Sequence, residues 1–106
     1  MRVEAVGKPA DCKLIRVSAE TSGDRIVRIR IRGDFFACPE ERFDALEEAL
    51  VGTPLSDLAE AFDTLVKQSN METFGISGAG LAAVFNAGLE LNLTHKTLYK
   101  HQGEGE

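Results

Sequence analysis

The chain is short of almost everything that would place it in a membrane, outside the cell or around a metal ion. It has two cysteines in 106 residues, Cys12 and Cys38, and they do not form a Cys-X-X-Cys pair. That is too few for a disulfide scaffold. With His95 and His101 both in the tail, the paired ligand spacing of a metal site is missing as well. No apolar run approaches the roughly 18 residues of a membrane span, and no leader with a cleavage signal opens the chain. A reducing, cytoplasmic setting is therefore expected, with no membrane partner. No Ser-His-Asp or Cys-His grouping suggests nucleophilic catalysis, so no catalytic residue is nominated.

What is present suits a single domain. An apolar fraction of 43% is ordinary for a globular chain, and a chain of this length buries roughly two thirds of its unfolded surface without staples. The net charge of −5 conceals a polarity. Residues 1–37 carry eight Lys or Arg against five acids, residues 38–93 carry two against ten, and residues 94–106 balance at two each. The basic excess is small and no aromatic interleaves with it, which disfavours nucleic acid and leaves a local anionic or acidic ligand open.

The N-terminal third alternates as strands do. Val3 to Val6 is a short strand ended by Gly7 and Pro9, and Lys13 to Glu20 is a second, with Ile15, Val17 and Ala19 on one face. "TSGD" at 21–24 is a turn, and Arg25 to Phe36 is the third and strongest strand. Val27, Ile29, Ile31 and Phe35 share one face; Arg28, Arg30, Arg32, Asp34 and Phe36 share the other. The short turn makes strands two and three a hairpin.

From Pro39 the period becomes helical, about 3.6 residues. Pro39 suits a first helical position, followed by Glu40 and Glu41, and Gly52 suits a stop. Phe43, Leu46 and Leu50 form the inner stripe, with Asp44, Glu47 and Glu48 expected to be solvated. A second helix begins near Thr53-Pro54 with Leu55, Leu58, Phe62 and Leu65. Ser77 is an N-cap for a third, striped by Leu81, Val84, Phe85, Gly88 and Leu89, and "HQGEGE" is expected to fray. Strands first and helices after imply an α+β domain of two layers, an antiparallel sheet of about three strands with about three helices on one face.

Several short motifs have plain readings. Arg32-Gly33-Asp34 spells an adhesion tripeptide, but a strand end is a poor display loop. "GISGAG", residues 75–80, lacks the Gly-Lys-Ser/Thr of a phosphate loop, so a capped helix with small residues for close packing is favoured. Cys38 precedes a helix start, a setting that can activate a thiol. The arginines of strand three suit either a solvated face or docking against an acidic or phosphate-bearing partner.

The order of a "KLIRVSAE" strand, a Gly-Asp turn and then "IVRIRIRGDFFACPEERFDALEEALVGTP", with "FGIS" before the last helix, resembles the C-terminal accessory domain of lipoate–protein ligases. The likeness covers residues 2 to about 90 and leaves the tail from Leu91 to Glu106 unmatched. It implies a non-catalytic subunit in the free-standing, split form, paired as a heterodimer with a catalytic large subunit. In that complex, ATP, Mg and lipoate would serve formation of lipoyl-adenylate before transfer to lysines of lipoyl domains, and nothing is expected to bind the small chain alone. The partner surface expected from strand parity is Arg30, Arg32, Asp34 and Phe36, unless a bulge at Gly33 exchanges the two Phe faces. The family fold is similar to that of sulfur-acceptor and iron–sulfur scaffold proteins. A sulfur-acceptor role through Cys38 is the alternative, weakened by the lack of the three cysteines that the scaffold branch uses. A plain interaction module with no link to lipoate is a third possibility.

Overall fold

The computed structural model describes the backbone of residues 1–105 and the side chains of residues 1–91. Strand β1 (Arg2–Gly7) pairs antiparallel with β2 (Ile15–Ser22), which pairs antiparallel with β3 (Arg25–Gly33), giving the sheet order β1-β2-β3. Gly23, at φ 60°, supplies the left-handed step of the two-residue turn between β2 and β3. The inner face is built from rows set by this register: Val3, Ala19 and Ile29, then Ala5, Val17 and Ile31. Ala5 is half-buried and the other five are buried.

Near the turn the parity departs from simple alternation. Glu20 pairs with Arg28 but Thr21 pairs with Ile26, so Val27 is an extra residue in β3. The bulge turns Ile26 into the core and leaves Val27 48% exposed, where unbroken alternation expects Val27 inside. β3 also ends at Gly33 rather than continuing to Phe36. Gly33 has φ 152°, and a Cβ there would overlap the Leu14 carbonyl oxygen. The strand therefore breaks where only glycine fits.

After the break, β4 (Phe36–Cys38) pairs antiparallel with β5 (Glu72–Phe74) in a separate two-stranded ribbon. Pro39 lies just outside a 3-10 turn, Glu40–Arg42, and α1 (Phe43–Ala49) begins one turn later than the sequence pattern placed it. Leu50 caps α1, and Gly52 (φ 88°) follows two residues beyond that cap. Residues 52–55 then lie along the start of β3: the Gly52 N–H donates to the Ile26 carbonyl at 2.7 Å and the Leu55 N–H to the Asp24 carbonyl at 2.7 Å. A second 3-10 turn, Leu55–Asp57, leads into α2 (Leu58–Gln68).

The last helix, α3, runs Gly78–Gly105. The tail expected to fray is thus helical through Gly103 and Glu104, because no proline and no glycine interrupts the sequence between Gly88 and Gly103. The side chains of His95 and His101 lie outside the described residues. Ser77 caps α3 as its sequence suggests, its Oγ accepting the Gly80 N–H at 3.0 Å, and Asp63 Oδ1 accepts the Gly78 N–H at 2.8 Å. Both donors serve internal packing, so "GISGAG" is a capped helix start. Leu81, Val84, Phe85 and Gly88 are buried, and α3 packs on β1 and β2 with α2 beside it. The domain is α+β, with its helices on the inner side of the three-stranded sheet.

Glu47, expected on a solvated helix face, is buried. Its Oε2 accepts the Ile31 N–H at 2.7 Å and the Arg32 Nη1–H at 2.7 Å. Arg32 Nη1 also donates to the Ile31 carbonyl at 2.8 Å. One carboxylate thus satisfies the outer edge of β3 and neutralises a strand arginine.

Replacing Glu47 with Ala leaves the buried Ile31 N–H without an acceptor, and should lower unfolding free energy by about 2–3 kcal/mol in urea titration. Glu47→Gln, which keeps an acceptor, should cost about 1 kcal/mol. At Gly88 a Cβ would meet the Ala5 Cβ at 2.5 Å. Gly88→Leu should therefore push α3 off β1 and lower the melting temperature by an amount equivalent to about 1–3 kcal/mol.

Candidate docking surface

The break at Gly33 decides which phenylalanine is inside. The Asp34 N–H donates to the Leu14 carbonyl at 3.0 Å, which holds the connection down against the β1–β2 loop. Phe35 then turns inward and is half-buried against the core, its ring centroid 5.6 Å from that of Phe43. Phe43 in turn meets Phe62 of α2 edge-on at 6.5 Å. Phe36 follows with opposite parity and is 72% exposed. No bulge at Gly33 reverses the pair.

The ribbon register places Phe36 opposite Phe74, which is 60% exposed. Ala37 opposes Thr73 on the inner face, and Cys38 opposes Glu72 on the outer one. Two exposed phenylalanines thus occupy facing register positions on the outer side of the ribbon, which a solvated ribbon does not require. Phe74 was not nominated from sequence. The available signal was "ETF" immediately before the Gly-Ile-Ser cap, an alternating triplet too short to stand out from a loop.

Beside Phe36 lies an open groove of about 660 Å³. Ile31, Phe35 and Phe43 contribute to its lining, Arg32 and Phe36 are also part of it, and Glu40, Glu41 and Asp44 supply acids. The groove therefore mixes aromatic and aliphatic side chains with acids in its lining. That matches the excess of acids in the second half of the sequence.

The four residues expected to act together are divided by the structure. Arg30 belongs to the outer face of the three-stranded sheet, in a row with Ser18 and Glu4. Arg32 borders both that face and the Phe36 groove, but its guanidinium is bound to Glu47. Asp34 is exposed and lines neither. Arg32 and Phe36 come together; Arg30 and Asp34 do not join them.

The cysteines are free and separate, Cys12 buried and Cys38 exposed. Cys12 Sγ lies 3.8 Å from Ser77 Oγ. Cys38 precedes only a three-residue 3-10 turn, not the start of a long helix. Among the described residues no group of three or more His, Cys, Asp or Glu could hold a metal ion. Among them, too, no helix is long and apolar enough to cross a membrane.

No family model matches the chain. Lipoate-protein ligase A subunit 2 of Thermoplasma acidophilum is 42% identical over 45 residues, which are 42% of this chain and 48% of that protein. The chain spans about half the length of this curated relative. The second match is a chain in the solved structure of an archaeal lipoylation system, a bi-partite lipoate protein ligase and its E2 lipoyl domain from the same organism. It superposes with a TM-score of 0.67 at 28% identity, over 80% of this chain and 94% of that one. In sequence and in fold, this chain resembles the small accessory subunit of a two-part lipoate–protein ligase.

Proposed function

We propose that the chain is the non-catalytic subunit of a two-part lipoate–protein ligase. In this reading the large catalytic subunit requires it for ATP-dependent activation of lipoate to lipoyl-adenylate, ahead of transfer to lysines of lipoyl domains. The observation that carries the reading is the structural likeness over 94% of a chain from a bi-partite ligase. The aromatic ribbon supports it, because exposed paired rings gain most from burial against another protein. ATP, Mg and lipoate belong to the complex, and the heterodimer to the cytoplasm.

Physically, such a subunit works by binding one conformation of its partner more tightly than another. A preference of about 3 kcal/mol is a shift of more than a hundredfold in the partner's equilibrium. Phe36 and Phe74 are the apolar anchors of the docking surface, and the acids Glu40, Glu41 and Asp44 favour a partner surface with lysine or arginine around an apolar hollow. Arg32 shapes the groove while neutralising Glu47. Arg30 and Asp34 lie off this groove.

Mixing the chain with a candidate large subunit, ATP, Mg and lipoate should produce lipoyl-adenylate at a rate that depends on the small chain. Equal rates with and without it would refute the proposal. Phe36→Ala and Phe74→Ala should each weaken the complex by about 1–3 kcal/mol in calorimetric titration while leaving the fold intact. Phe35→Ala should instead cost about 3 kcal/mol of stability, the low end for a large aromatic because Phe35 is only half-buried. Cys38→Ser should leave adenylation unchanged. A chain that accepts persulfide sulfur at Cys38 and does not stimulate adenylation would favour the sulfur-acceptor reading.

A further inference from the structure

On the outer face of the three-stranded sheet the register sets three rows: Arg2, Glu20 and Arg28; Glu4, Ser18 and Arg30; Val6, Arg16 and Arg32. Charge is matched at one end only. Arg2 binds Glu4 at 3.1 Å and approaches Glu20 at 3.7 Å. The Ser18 hydroxyl and Arg2 hold the Glu4 carboxyl below its ordinary range, so this acid is already engaged with groups of its own face.

At the other end Arg16 stands directly opposite Arg32, a like-charge pairing that destabilises a sheet. Arg32 escapes it by reaching over the strand edge to Glu47. The side chains of Arg16, Arg28 and Arg30 have no hydrogen bond or ion pair to any described residue. Val6, 62% exposed, lies beside Arg16. Glu4, Val6, Arg16, Ser18, Arg30 and Arg32 border a shallow depression of about 410 Å³. On a chain of net charge −5, this is a localised basic, partly apolar site.

We propose that this face docks a carboxylate-rich segment of a partner protein, with Arg16 and Arg30 as its paired recognition residues and Arg28 extending the site. Guanidinium forks take carboxylates in bidentate fashion, and the exposed valine suits an aliphatic stem beside the acid. A long polyanion such as nucleic acid meets repulsion from the acidic remainder of the chain and finds no aromatic ring on this face on which to stack. The site follows from the sheet register and holds whether or not the chain serves a ligase.

The test is an NMR titration of the isotopically labelled chain with a short poly-glutamate peptide at low salt. Amide shifts are expected along Arg16–Ser18 and Arg28–Arg32, with affinity falling about tenfold or more at several hundred millimolar NaCl. The double variant Arg16→Gln/Arg30→Gln should lose about tenfold or more in affinity while keeping the native spectrum. Should the double variant not fold, Arg30→Gln alone should show a smaller loss, since only Ser18 and Glu4 share its row. Lys67→Gln, on α2, should bind like the parent chain. Shifts centred elsewhere, equal weakening by Lys67→Gln, or inorganic phosphate competing as well as the peptide at matched charge would overturn the proposal.

Discussion

The structure turns on one carboxylate. Glu47 projects from α1 to the outer edge of β3, where it accepts the Ile31 N–H and the Arg32 guanidinium on the same oxygen. An exposed edge strand would offer that N–H to another chain; here it is occupied from within. The same contact ties α1 to the sheet, and α1 carries Phe43 against Phe35. From there the chain can leave β3 at Gly33, drop one phenylalanine into the core and present the next. The Arg32 side chain is 51% exposed while that of Glu47 is only 9% exposed, so water screens one partner and hardly the other.

Sequence period was a sound guide where one face of an element meets the core and the other meets water. The β2 alternation, the α3 stripe from Leu81 to Leu89 and the Ser77 cap all follow it. It misled where tertiary contacts override local pattern. Val27 and Ile26 are equally apolar, and only the register across the hairpin decides that Ile26 enters. Glu47 sits among acids that are exposed, Asp44 and Glu48, and only its position opposite the β3 edge separates it from them. The ribbon was illegible because each of its strands is three residues long, below the length at which alternation carries information. Phe36 was found from parity, whereas Phe74 needed its cross-strand neighbour.

The charge polarity of the sequence acquires a spatial meaning. Basic residues concentrate on the outer face of the sheet, and acids line the groove beside Phe36. Arg32 stands between the two, spent on Glu47. The molecule thus offers an aromatic, acid-bordered surface and an arginine surface of different chemistry on either side of one strand end. Under the proposed function, the first surface is the one that docks on the large subunit.

The two strands of the ribbon divide their work by parity. Ala37 and Thr73 face inward, and the ribbon is anchored by Phe35 on one side and Ile76 on the other. The outward positions 36, 38, 72 and 74 contribute almost nothing to that anchoring. In the proposed docking role, recognition and folding fall to separate sets of residues only one position apart. The outer face can drift, or be rewritten for a different partner, without disturbing the core beneath it.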